Sequence, residues 1–312
     1  MPKVSVVIPA YNVRDYLTAA LESLILQTYH DFEALIVDDG STDDTAAIAE
    51  QFVKRDSRFQ LLQKPNGGLS SARNFGINYS NSEYIALLDG DDVYLPHKLA
   101  AHVATLEANP AVGIVYGASQ AMRDDGTPTW LKISGKPVHP DPLPALMCKN
   151  FIVHGSNAML RRLVFDEVGQ FDEALPSVED LDLWLRIASA QTWQFHRDRR
   201  ILSYYRVRPS GLSFNLAQMQ QTHEQVLQMA QQRSPAATAM IMPTARAYMY
   251  RYLGRMAVTM GNADQANQFL DQAWQQDWRI FGQDPKSLVT LLSIKLAPVA
   301  QFAIRRALGT AR

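Results

Sequence analysis

Asp89-Gly90-Asp91-Asp92 puts three carboxylates within four residues, directly after the apolar run Tyr84-Ile85-Ala86-Leu87-Leu88. Carboxylates that close repel one another unless a cation or a proton offsets the charge. Their oxygens are hard ligands suited to Mg2+ or Mn2+, commonly shared with a substrate phosphate. Gly90 would let the backbone turn sharply and a ligand approach closely. Two readings fit this stretch: a metal–diphosphate site at a strand's C-terminal edge, or a solvated acidic turn before the helix that follows Pro96. Two further polar clusters, Pro9-Ala10-Tyr11-Asn12 and Asp38-Asp39-Gly40-Ser41, also follow apolar runs.

The elements that must position these groups can be read from periodicity. Val4 to Ile8 is a β-rich run ended by Pro9. Asn12 or Asp15 is expected to cap a helix with Tyr16, Leu17, Ala20, Leu21, Leu24 and Ile25 on one face. Ala34 to Val37 is the next strand, and Thr42 or Asp43 opens a helix through Ile48, Ala49, Phe52 and Val53. A strand at 59–62, a Pro65-Asn66-Gly67-Gly68 loop and a helix carrying Ala72, Phe75 and Ile77 precede the strand at 84–88. A helix from His97 to about Ala108 and a strand at 112–116 follow. Such alternation predicts an α/β fold with a mainly parallel central sheet flanked by helices. Ligands of these sheets bind outside the strands' carboxyl ends, so three polar ends together suggest a pocket. Gly117 to Asn150 reads as loops or a substrate-facing excursion. Beyond it lie a strand near 157–160, a helix at 162–168 stopped by Gly169, an amphipathic helix from Leu181 to Ala188, and closing strands at 194–196 and 201–205.

From about Phe214 the composition shifts to Gln, Met and Ala, which divides the chain into 1–213 and an all-α extension, 214–312. Leu253, Gly254, Ala257, Ala266, Phe269, Leu270 and Ala273 around Gly261-Asn262 resemble one tetratricopeptide-type helix pair, which must dock on neighbours. Residues 286–312 hold Lys286, Lys295, Arg305, Arg306 and Arg312 and no acid, with Leu288, Leu291, Leu292, Ile294, Leu296, Val299, Phe302 and Ile304 as an apolar face. Such a helix suits an anionic membrane surface, and equally suits packing on the preceding pair or in a homodimer.

Bulk composition narrows the function classes. The 312 residues are 47% hydrophobic and 20% charged, as in a soluble globular protein. A net charge of −1 gives no reason to expect nucleic acid as a partner. The single Cys148 forbids an intrachain disulfide and fits a reducing compartment. Val4–Ile8, with only Lys3 before it, is too short for a secretory signal, and no run of about 20 apolar residues suggests a membrane span. The expected location is the cytoplasm, peripheral at the membrane's inner face if the tail binds lipid.

Five pieces in order resemble family 2 glycosyltransferases. They are Val4-Ser5-Val6-Val7-Ile8-Pro9-Ala10-Tyr11-Asn12, Val37-Asp38-Asp39-Gly40-Ser41-Thr42-Asp43, Asn66-Gly67-Gly68-Leu69-Ser70-Ser71-Ala72-Arg73-Asn74, Leu88-Asp89-Gly90-Asp91-Asp92 and Glu179-Asp180-Leu181-Asp182-Leu183-Trp184. The resemblance covers about residues 3–210. It implies a GT-A-like fold, a nucleotide-sugar donor, Mn2+ or Mg2+, and inversion at the anomeric carbon.

Carried over residue by residue, the resemblance puts a uracil-like base near Pro9, Ala10, Tyr11 and Asp39, while Asp43 is read as a helix cap. It assigns Gly68 and Arg73 to the diphosphate. Asp91 becomes the metal ligand, with Asp89 and Gly90 at the ribose or beside the metal, and Asp92 holding the turn. Asp180 becomes the base that deprotonates the acceptor hydroxyl, and its helix N-terminus should keep it ionised near neutral pH. Glu179, Trp184 and His154 are candidates for acceptor contact. Where many relatives carry a histidine, Arg206 and Arg208 flank Val207, and a cationic diphosphate clamp is expected. The processive members' Gln-x-x-Arg-Trp motif is not recognisable, which suggests single-sugar addition, from a UDP-sugar to a hydroxyl of a surface or lipid-linked glycan. A nucleotidyltransferase and a catalytically silent sugar-nucleotide-binding scaffold are the alternatives.

Overall fold

Val4–Ala10 (β1), Phe32–Asp38 (β2), Phe59–Gln63 (β3) and Tyr84–Leu87 (β4) pair in parallel in the order β3-β2-β1-β4. The computed structural model describes residues 1–133, 136–208 and 215–307, with side chains as far as Leu296. Both faces of these strands are covered, which is why they read as unbroken apolar runs rather than alternating ones. Val6, Ile8, Ala34, Ile36 and Ala86 pack on one face with Leu17, Leu21 and Leu24 of helix α1 (Arg14–Ile25) and Leu99 and Leu106 of a later helix. Helices α2 (Thr45–Arg55) and α3 (Leu69–Tyr79) complete the alternation, and Gly76 of α3 closes against Val7 and Val37 on the other face.

The sheet continues past the parallel half. After the two-residue strand β5 (Val93–Tyr94) and helix α4 (Lys98–Ala108) comes β6 (Val112–Met122), flanked on one edge by β7 (Pro128–Lys132). Helix α5 (Pro142–Cys148) and a 3-10 turn at Gly155–Asn157 lead to β8 (Ala158–Arg161), which runs antiparallel between β4 and β6. Helices α6 (Arg162–Val168) and α7 (Glu179–Ala190) precede β9 (Gln194–Arg206), parallel to β6 and antiparallel to β5. The order is β3-β2-β1-β4-β8-β6-β9-β5, a mostly parallel sheet of nine strands.

Three local expectations change. Gly117–Asn150 is not all loop: β6 extends through Met122 because β9 keeps pairing with it as far as Arg206, and at Gly117 the side chain of Asn157 also closes the edge, Gly117 N donating to it at 3.1 Å and Asn157 Nδ2 returning a bond at 2.9 Å. The two closing strands are one, since Asp198–Arg200 forms a bulge closed by the Arg200 amide on Asp198 Oδ1 at 2.9 Å. Neither Asn12 nor Asp15 caps α1; Asn12, at φ 51°, accepts from the Thr42 amide at 2.8 Å and ties the first loop to the second.

The chain forms two compact units, Met1–Pro142 with Asn150–Arg208, and Leu143–Lys149 with Pro209–Arg312. In the second, α8 (Leu216–Arg233), α9 (Pro235–Thr238), α10 (Met242–Thr259), α11 (Ala263–Asp277), α12 (Ile280–Gln283) and α13 (Pro285–Ala307) follow one another. α10 and α11 are the expected pair, close enough that a Cβ on Gly254 would stand 3.4 Å from the Ala266 carbonyl. The boundary expected at 213/214, the side chains of Val299, Phe302, Ile304, Arg305 and Arg306, and all of Arg312 lie outside the described residues.

Candidate active site

The carboxyl ends of β1, β2 and β4 carry the three polar clusters, each held by neighbours rather than left to solvent. After β1, Pro9 and Ala10 are buried while Tyr11 is 50% exposed, leaving its ring face open to stack on a planar ligand. After β2, Asp39 is 2% exposed and its carboxylate is already engaged. Oδ1 accepts from Lys64 Nζ at 2.6 Å and Gly67 N at 3.0 Å, and Oδ2 from Gly68 N at 2.8 Å. Asp39 thus shapes the glycine loop that starts α3, where Gly68 takes φ 90°, a conformation few other residues tolerate. That is more than the base contact the sequence suggested. Asp43 does act at the start of α2, its Oδ1 accepting from the Thr45 amide at 2.9 Å.

The acidic motif after β4 splits into three environments. Asp89 meets the Arg73 guanidinium at 2.7 Å, and its amide donates to Ser156 Oγ at 3.0 Å. Asp91 meets Arg208 at 2.6 Å. Burial raises the Asp91 pKa, with Arg208 opposing and Asp89 adding to the rise. Asp92 is 1% exposed, accepts from the Arg206 amide at 2.9 Å, and is pushed well above the usual carboxylate range by burial and by Asp91 and Asp89. Gly90 has an ordinary backbone; it is required because a Cβ there would stand 3.1 Å from Val13 Cγ2 and 3.2 Å from the Pro9 carbonyl. The expected turn is present, closed by the Asp92 amide on the Asp89 carbonyl at 3.0 Å, and the crowding against Pro9 and Val13 is a second constraint on the glycine.

Arg73 differs most from expectation. It is 1% exposed and reaches no open surface; one nitrogen meets Asp89 and another meets Glu179 at 2.6 Å. Phe171 covers it at 5.1 Å. Burial would lower its pKa, but Asp89 and Glu179 hold it raised, so it stays a cation. In this state Arg73 is a brace between the β4 motif and α7 rather than a diphosphate contact.

Glu179 and Asp180 begin α7 right after Val178, a β-branched residue at φ 60°. That conformation is costly for valine and marks a position the surroundings impose. Glu179 is 7% exposed and paired with Arg73, so it does not face an acceptor. Asp180 keeps partial exposure, and burial, then Glu179, push its carboxyl up to about 8 against the opposing pull of Arg73. The helix terminus does not keep it ionised at neutral pH, because burial and a like charge next door outweigh it. Trp184 is wholly buried, and His154 is 6% exposed with Nε2 2.8 Å from Ser119 Oγ and its ring 4.5 Å from that of Tyr205. Burial takes the His154 pKa down to about 3. Both are framework residues in this state, not acceptor contacts.

The two arginines after β9 also part company. Arg206 is 6% exposed, its Nε donating to the Asp91 carbonyl at 2.8 Å and Nη1 to the Asp124 carbonyl at 2.6 Å. It splints the motif and cannot clamp a ligand without breaking those bonds. Arg208 reaches the Asp91 carboxylate itself. Tyr16 stands beside both guanidiniums, 4.9 and 5.0 Å from its ring centroid, with its hydroxyl donating to Asp124 at 2.8 Å. Sequence reading placed Tyr16 only on an apolar helix face and missed Asp124; nothing in the local pattern signals that they meet β9.

A divalent cation fits Asp91, with Asp89 beside it, in the manner of Mg2+, which typically takes one or two carboxylates and completes its shell with substrate phosphates and water. Among the described residues no three His, Cys, Asp or Glu are grouped to hold an ion unaided. Both carboxylates are held by arginines, Asp91 by Arg208 at 2.6 Å and Asp89 by Arg73 at 2.7 Å, so they suit only an ion that arrives with its own phosphate.

Residues 5–169 match the family described as glycosyl transferase family 2. An uncharacterized glycosyltransferase of Rickettsia felis is 32% identical over 206 residues, 64% of this chain and 33% of the relative. Uncharacterized glycosyltransferase EpsJ of Bacillus subtilis is 45% identical over 92 residues, 30% of this chain and 27% of its own. The chain thus spans about a third of the length of these relatives. Among solved structures, mannosyltransferase PcManGT of Pyrobaculum calidifontis, in complex with GDP-Man and Mn2+, superposes with a TM-score of 0.63 at 18% identity, covering 97% of this chain and 81% of that one. S. aureus TarS 1-349 in complex with UDP-GlcNAc superposes at 0.57 and 18% identity, covering 88% and 92%.

Proposed function

The chain belongs to glycosyl transferase family 2 and has the GT-A fold, and from that premise we propose that it is an inverting, metal-dependent transferase. It moves one sugar from a nucleotide-diphosphate donor, a UDP-sugar first among candidates, to a hydroxyl of a glycan or lipid-linked acceptor. The observation that carries the reading is the Arg73 brace. By holding Asp89 and Glu179 at 2.7 and 2.6 Å, it brings the acidic motif of β4 and the start of α7 into one site. A donor diphosphate and a base for the acceptor can then act on the same anomeric carbon.

Tyr11 stacks on the nucleotide base, and the Gly67–Gly68 loop, shaped by Asp39, borders the nucleotide. Asp91, with Asp89 nearby, would hold Mn2+ or Mg2+, which as a Lewis acid would offset charge on the departing diphosphate. Arg208 leaves Asp91 for the diphosphate when the donor enters, a role Arg206 cannot share. Asp180 takes the acceptor proton on the face opposite the leaving group. Family membership favours this over nucleotidyl transfer. Incubating the chain with UDP- and GDP-sugars and Mn2+ tests it: nucleoside diphosphate is released from one donor class and release stops with EDTA. Release from neither class, or release indifferent to EDTA, defeats the proposal as stated.

A further inference from the structure

Unit by unit, the charge of the chain is lopsided. Residues 143–149 and 209–312 carry eleven lysines and arginines against five acids, a net of +6, whereas the unit containing the site carries 19 against 26, a net of −7. The near-neutral total hides this division, and charge asymmetry between parts of a chain often marks attraction to an anionic partner.

Part of the basic unit's surface is also apolar. On α13 the buried side is Ser287, Thr290 and Ile294, and the opposite side exposes Leu288 (42%), Val289 (64%), Leu292 (45%) and Leu296 (53%). At 100° per residue these four fall within one quadrant or slightly more, with Lys286 on one flank and Lys295 on the other. Lys295 reaches Asp271 of α11 at 2.8 Å, which ties this stripe to the face of α11 that carries Asp271 and Trp274, with Trp278 directly after the helix. Both tryptophans are exposed, 49% and 60%, with ring centroids 6.4 Å apart. Six large apolar side chains thus lie on adjoining helix faces, bordered by Lys286 on one side and by the Lys295–Asp271 pair on the other. Tryptophan beside lysine on an aliphatic stripe is the composition of a surface lying in the headgroup layer of a bilayer. No helix among the described residues is long and apolar enough to cross a membrane, so the contact is with a surface.

We propose that the α11–α13 face, through Trp274, Trp278, Leu288, Val289, Leu292 and Leu296, docks the helical unit on an anionic lipid surface. Net charge selects the occupant: a second copy would bring the same +6 unit face to face with itself, whereas an acidic bilayer satisfies both the charge and the apolar area. The inference deepens the lipid-linked acceptor reading but rests only on the helical unit, so its test uses no donor, acceptor or turnover.

The full chain is floated with phosphatidylcholine vesicles containing phosphatidylglycerol, and with phosphatidylcholine alone, at low and high salt. Binding is expected to the anionic vesicles only and to weaken with salt. Val289→Glu with Leu292→Glu should lower partitioning at least about tenfold, because two exposed apolar contacts are replaced by anions. Trp278→Ala should lower it less. Unchanged circular dichroism and urea unfolding of each variant exclude misfolding. Equal binding to both vesicle types, binding to neither, or unaltered binding of the double variant overturns the proposal. So does light scattering that finds a dimer which the double variant dissociates, since the face would then be covered by a second copy.

Discussion

Asp180→Asn keeps the size of the side chain and removes the proposed base. Burial and Glu179 push the Asp180 carboxyl up to about 8, so at pH 7 about a tenth of it is ionised in the free enzyme. kcat/KM of the native chain, which reports groups of the free enzyme, should therefore climb roughly tenfold per unit from pH 6 and level off above pH 8. A positioned base contributes about 100- to 10,000-fold, so the variant should lose at least about 100-fold at pH 8.5. At pH 6 the native chain has only about one part in a hundred ionised, and the gap should narrow towards parity. The assay is nucleoside diphosphate release from saturating acceptor and limiting donor, read every half unit from pH 6 to 9. The same pKa makes a second, activity-free claim. A carboxyl raised above its unfolded value contributes stability that is fully present below about pH 4 and is lost as pH rises through about 8. The variant has no such loss, so by urea unfolding it should gain on the native chain by up to about 5 kcal/mol between pH 4 and 8.5, at about 1.4 kcal/mol per unit of pKa. A flat native profile, a variant-to-native ratio independent of pH, or more than a tenth of activity kept at pH 8.5 would refute the assignment.

Glu179→Gln removes the like charge beside Asp180 and frees Arg73 to act on it, so the alkaline rise in kcat/KM should move to lower pH by about one unit; a shift upward contradicts the described network. Arg206→Gln and Arg208→Gln should separate, as unfolding curves and donor titrations can read. The first removes a buried guanidinium and its bonds to the part-buried Asp91 and Asp124 carbonyls and should cost about 1–3 kcal/mol of stability. The second should leave stability within about 1 kcal/mol and weaken donor binding roughly tenfold. Loss of donor affinity without loss of stability in Arg206→Gln would reinstate it as a clamp.

Much of the architecture was legible because burial on both faces writes itself into sequence as apolar runs, and the runs at 4–8, 34–37 and 84–88 mark β1, β2 and β4 closely. The order of five short motifs identified the family, since each sits at a strand end or helix start that the fold brings to one edge. Partners were less visible. A motif gives residue types, but Arg73 is spoken for by Asp89 and by Glu179, 106 positions away, and no local pattern records that distance. The expectation for Asp180 failed for a related reason: a helix terminus is local and readable, whereas desolvation depends on everything packed around it. The turn at Gly90 was readable, but its close approach to Pro9 and Val13 was not, because those neighbours lie about 80 positions away. The strand break expected at 197–200 was a bulge, since a polar Asp198–Arg200 pair inside a strand reads like a turn when its partner strand is unknown.

Thermal unfolding of the native chain and of Asp91→Ala, with each of UDP-GlcNAc and GDP-Man and with or without Mn2+, tests the central claim most directly, that the acidic motif holds a nucleotide sugar through a cation. At about 100 times its dissociation constant the correct donor adds about 2.7 kcal/mol, which for a unit of this size raises Tm by roughly 5–10 °C. That rise is expected for one donor, only with Mn2+, with no rise in Asp91→Ala whose ligand-free Tm is otherwise close to native. A donor shift of the same size in Asp91→Ala, or none from either nucleotide sugar in the native chain, would contradict it.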